Sequence, residues 1–167
     1  MENELLNMKR YALAHGLCGV YTDAWDKVES IKGLVDLASD ANGMPFMAEG
    51  VAFGWCPSEQ YIKRVFADYI NGSYISKHKG YTGEIWYGER SEKTFMVRTT
   101  SVLVAFCDVS IIVPKGVVCR IHVAGKGEVS VKCEGVAYID VYGSDAELFV
   151  SGSGKTRVSH ITERKFR

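Results

Sequence analysis

Ser151-Gly-Ser-Gly-Lys-Thr156 has the ending of a phosphate-binding loop, in which backbone amides and a lysine hold phosphates ahead of a helix. The rest of that device is missing. Position 149, where the loop needs its first glycine, is Phe149, and only eleven residues follow Thr156. The glycines therefore read as a tight turn between two strands. His15 and Cys18 stand three apart, a spacing that on one helix puts an imidazole and a thiol on the same face, as a metal site or a thiolate pair requires. A metal would need two more ligands, and Cys56 alone lies nearby in the sequence. His78, His122 and His160 stand singly. We therefore assign no metal site, no cofactor and no catalytic set, and the reading leans away from an enzyme.

Two other groups of residues suggest binding. Aromatic side chains crowd the first ninety residues, and Trp25, Trp55, Tyr81 and Trp86 are the candidates for a ligand groove or a partner patch, because Trp and Tyr join an apolar body to a polar tip. Lys63, Arg64, Lys77, His78 and Lys79 form a basic set that fits a nucleic-acid interface. The order is a helix, the turn Gly54-Trp55-Cys56-Pro57, a second helix carrying Lys63 and Arg64, then a basic-tipped hairpin, which is the order of a winged helix-turn-helix. Glu59 and Asp68 on that second helix oppose phosphate binding.

Charge sets no general direction, since twenty basic and twenty acidic residues cancel and no global field steers the chain to nucleic acid or membrane. Residues 1–57 hold four basic and eight acidic residues, while 58–100 hold seven basic and five acidic. No apolar run is long enough to span a membrane, and the start has no basic-then-apolar leader. Five cysteines, odd in number and unclustered, read as buried reduced thiols of a cytoplasmic protein.

The elements that must position these residues fall into two kinds. Up to Ile70 the apolar residues recur at helical spacing. Leu5, Leu6, Met8, Leu13 and Leu17 suit one helix face. Ser30, the run from Ile31 to Ala38, and Asn42-Gly43 give a helix with start and stop signals. Pro45 to Phe53 predicts a third helix with proline in its first turn, and Ser58 to Ile70 a fourth. Ser73 to Ile75 and Tyr81 to Tyr87 predict a hairpin. After Asp108 the chain becomes a run of short units centred on Ile111, Ile121, Val131, Ile139, Leu148 and Val158, which lie 8 to 10 residues apart. Alternation inside each unit gives one buried and one wet face. Such units build either a β-solenoid or a small antiparallel sandwich.

The expected fold class is α+β, with an aromatic-rich helical domain plus hairpin at 1–90 and a β-repeat domain at 91–167. The stretch from Leu17 to Tyr87, with PSEQYIKRVFADYINGSYI and KGYTGEIWYGE, resembles uncharacterised proteins encoded by gut bacteria and their prophages. The second half is similar to valine-rich β-solenoid segments of phage and surface-associated proteins. No site residue comes with the resemblance. It implies a phage or prophage setting, with the protein cytoplasmic or assembled into a phage-like particle. The functional expectation is an interaction or structural protein. In it the repeats act as a scaffold or homo-oligomerisation platform, and the first domain docks a protein partner. The alternatives are the DNA-binding regulator and a small-ligand binder or enzyme with a pocket between the two halves. No membrane partner is expected.

Overall fold

A computed structural model of the chain describes residues 2–40, 42–54, 64, 74–78, 81–87 and 94–163. Among these residues four helices come first: α1 (Glu2–Ala14), α2 (Gly19–Trp25), α3 (Ile31–Ala38) and α4 (Gly43–Ala52). Ten strands follow: β1 (Tyr74–His78), β2 (Tyr81–Tyr87), β3 (Thr94–Met96), β4 (Ser101–Ala105), β5 (Val109–Val113), β6 (Val118–Ala124), β7 (Gly127–Cys133), β8 (Val136–Tyr142), β9 (Ala146–Ser151) and β10 (Lys155–Ile161). They form a wide sheet in the order β1-β2-β4-β6-β8-β10 and a narrow sheet in the order β3-β5-β7-β9.

From β2 onward every pairing is parallel and joins a strand to the next but one. Parallel neighbours need a crossover between them, and here the crossover is a strand of the opposite sheet. That makes the second half a β-solenoid of about four turns and not a sandwich. In the wide sheet the chain returns to the same register after 18 or 19 residues, as from Ser101 to Arg120 and from Val118 to Val136. β1 is the exception, running antiparallel to β2 as the expected hairpin. β2 falls in the 1–90 segment, yet it is hydrogen-bonded to β4 of the repeats.

Alternation decides which side chains enter the coil. Val102 and Val104, then Cys119, Ile121 and Val123, then Ala137, Ile139 and Val141 face Val109, Ile111, Val113, Val129, Val131 and Cys133 across one continuous interior. Short branched residues fit the pleat, and each one fully buried stabilises the fold by about 1.5–3 kcal/mol. The turn Ser151 to Lys155 joins β9 to β10, as the glycine pattern requires. Gly152 has φ of 103°, and a Cβ there would lie 2.1 Å from the Cys133 carbonyl oxygen, so no side chain is tolerated.

The helices lie on the outer face of the wide sheet. Met8, Leu34, Val35, Met44 and Ala48 pack on Ile85, Leu103, Ala105 and Ala124. The close approach depends on Gly83, where a Cβ would meet the Ser39 carbonyl oxygen at 2.4 Å. Ser30 caps α3 as expected, its hydroxyl accepting from the Gly33 amide at 3.1 Å. Pro45 sits in the first turn of α4. Two details differ from the sequence expectation. Among the described side chains of α1, Met8 and Ala12, one turn apart, are buried, while Leu6 and Leu13 are exposed. A short helix, α2, occupies Gly19–Trp25, tied down by a Lys9–Asp26 ion pair and a Tyr21–Asp40 hydrogen bond. The helix expected over Ser58 to Ile70 lies outside the described residues apart from Arg64. No helix among the described residues is long and apolar enough to cross a membrane.

Candidate functional site

Parallel register stacks outward-facing residues of successive coils into rows, about 4.8 Å from one strand to the next. On the wide sheet one row runs Ile85, Leu103, His122, Asp140, Ser159. The row beside it ends Arg120, Tyr138, Arg157, and the one on its other side ends Ala124, Tyr142, Ile161. The first row is apolar under the helices and becomes polar at β6. α4 supplies Pro45 and Glu49 over that change, and together these residues line a cleft of about 340 Å³. Its size lies at the lower end of small-ligand pockets.

The polar groups in the wall are deeply set. Glu49 is fully buried, and His122 is 1 % exposed. His122 Nδ1 lies 3.1 Å from the Tyr142 hydroxyl, with the two rings tilted at 44°. Asp140 Oδ2 is 3.8 Å from the same nitrogen and 3.5 Å from Arg120 Nε. Burial pushes the His122 pKa down to about 3, and Arg120 pushes the same way. At neutral pH the imidazole is therefore uncharged, and its approach to Asp140 is not an ion pair. Burial, then Asp140 and Glu49, raise the Tyr142 phenol above its ordinary value, so it keeps its proton. His122 and Tyr142 form a neutral pair that both donates and accepts, while Arg120 anchors the Asp140 carboxylate. Arg157 at the mouth is exposed and forms no ion pair with a described residue.

Arg120 and Arg157 stand exposed and Asp140 half-buried within one small volume, with Glu49 and the neutral His122–Tyr142 pair buried behind them. Chemically the accessible groups can hold a polar ligand by charge and hydrogen bond, beside the exposed Tyr138. Among the described residues no group of three or more His, Cys, Asp or Glu side chains could hold a metal ion.

Of the residues expected from the sequence, Trp25 is half-buried against the helix–sheet core and Arg64 is exposed; neither lines the cleft. Tyr81 and Trp86 belong to β2, and Lys77 and His78 to β1, while Trp55, Lys63 and Lys79 lie outside the described residues. His15 and Cys18 do not share a helix, because α1 ends at Ala14 and Cys18 caps α2. Cys107, Cys119 and Cys133 are buried thiols outside any disulfide, as expected, whereas Cys18 is exposed. Burial, with Cys133 adding, pushes the Cys119 thiol up to about 12, which makes it inert.

The chain matches no known family model, no curated protein and no solved structure. The site must be argued from its own residues. One signal for it exists in the sequence: Arg120, Tyr138 and Arg157, like His122, Asp140 and Ser159, are spaced 18 and 19 apart. It becomes visible only once the coil length is known.

Proposed function

We propose that the protein binds a small polar molecule in the cleft between α4 and the wide sheet, with the solenoid as its rigid scaffold. One observation carries the reading: a register row that is Ile85 and Leu103 under the helices turns into buried His122 and half-buried Asp140 in a cleft wall. Buried polar groups are unfavourable without partners, and a solenoid can fill such positions with Ile or Leu, as it does in the two coils before. Polar residues retained there favour a ligand role. The proposal keeps the scaffold and the pocket between the two halves expected from the sequence, and replaces the aromatic lining by the Glu49–His122–Asp140–Tyr142 set.

The test is a thermal-shift screen of small polar metabolites. A ligand present at 100 times its Kd stabilises the folded protein by about 2.7 kcal/mol. At least one compound should raise the Tm of the wild type and not that of Asp140→Ala. Equal shifts in both proteins, or none in either, count against the cleft.

A second reading, self-association through the last coil, has its own observation. Val150 and Val158 stand in register with the interior residues Val131 and Ile139 but are 39 % and 40 % exposed. β9 and β10 each have one edge unpaired with any described strand, and such edges recruit other strands. Light scattering should then find a dimer that Val158→Lys converts to monomer.

A further inference from the structure

We propose that the ligand of this cleft is a small organic acid bearing hydroxyl or amino groups, its acid group held by Arg157 and Arg120 above the Tyr138 ring. The inference rests on the ligand-binding reading and adds the chemistry of the ligand. Arg120, Tyr138 and Arg157 occupy one row on three adjacent strands, so the two arginine backbones lie roughly 10 Å apart with the phenol midway. Side chains of that length converge easily on one anion seated over the ring. Guanidinium groups suit this task because they meet a carboxylate or phosphate with paired N–H donors.

The charges are arranged in order of depth. Arg157 is exposed at the mouth without an ion pair to any described residue. Arg120 meets Asp140 through Nε at 3.5 Å, and its side chain is 59 % exposed. Further in, the Asp140 carboxylate, its side chain 15 % exposed, is an acceptor and repels a second acid group. It suits a hydroxyl or ammonium donor at the other end of the ligand. A neutral polyol would leave Arg157 unmatched, and a dianion would place charge against Asp140. One acid group at the mouth and donors at the base satisfy both ends.

The experiment is an NMR titration of the full chain that follows the Arg Nε–H signals. The probes are gluconate, lactate, glycine and inorganic phosphate, with sorbitol and propane-1,2-diol as neutral counterparts of the first two. At least one acid with hydroxyl or amino groups should produce saturable shifts at Arg157 and Arg120, its neutral counterpart none. Arg157→Gln should weaken that binding about tenfold or more, and Arg157→Lys should restore part of it. Neutral compounds binding as well as the acids overturn the acid assignment and leave the ligand-binding reading standing. Phosphate binding as tightly as every organic acid overturns the role given to Asp140. Saturation by no acid overturns the inference outright, and the wider screen above then decides the cleft by itself.

Discussion

The wide and narrow sheets share one interior but differ on their outer faces. Outside the wide sheet, Ile85, Leu103, Ala105 and Ala124 are buried under helices, and the rows then turn polar into a cleft. Outside the narrow sheet, Glu128, Ser130, Lys132 and Phe149 are exposed or half-exposed, with no described helix above them. A solenoid interior is constrained on every coil, since each inward residue must fit those above and below it. The outer face carries no such constraint. What lies there reflects what covers it or what it binds, so a cluster of polar groups on an outer face is informative in a way that another buried valine is not.

The strongest way to sharpen that contrast is to truncate one residue on each side of a sheet. Ile139→Ala, in the shared interior, should lower unfolding free energy by about 2–5 kcal/mol in a denaturant titration. Next in size is acid sensitivity on the wide sheet. The folded pKa of His122 is about 3 against 6.5 unfolded, so between those values the unfolded chain takes up a proton that the folded one does not. Its stabilising contribution is complete above pH 6.5 and is lost as pH falls towards 3, on the order of a few kcal/mol. His122→Leu should flatten the stability profile between pH 6.5 and 4.5, and an unchanged slope breaks the account of a buried neutral imidazole.

A smaller effect probes the helical cover. Ser30→Ala removes the cap of α3 and should cost about 1 kcal/mol. If helices and solenoid unfold together, near-ultraviolet and far-ultraviolet transitions shift by equal amounts, whereas separate transitions divide the cover from the coil. The smallest effect is expected on the bare sheet. Phe149→Ala should change stability by no more than about 0.5 kcal/mol, and a larger loss points to an interface over that face.

Much of the fold is legible in the chain, and little of the site is. Ser30 and Gly33, Pro45 in a first turn, and the glycines of Ser151-Gly-Ser-Gly-Lys-Thr156 behave as their local chemistry demands. α2 escapes notice because seven residues with no side-chain cap give a weak signal. His122, scattered singly in the sequence, gains its meaning from Asp140, one coil later, and from Glu49 on a distant helix. Trp25, which attracts attention by type, packs on the helix–sheet core instead, since an aromatic side chain serves packing as readily as binding.

The sequence by itself determines that strands recur after residue 108, which side chains point inward, and where the turns fall. These follow from a backbone whose side chains alternate every residue and whose tight turns admit few residue types. Units 8 to 10 residues long are compatible with two ways of pairing, so only the tertiary structure decides that each strand joins the next but one in parallel. That choice sets the 18- and 19-residue return. With the docking of α4, it brings Glu49, Arg120, His122, Asp140, Tyr142 and Arg157 to one place, because the pairing energy depends on strands far apart in the chain and not on any local pattern.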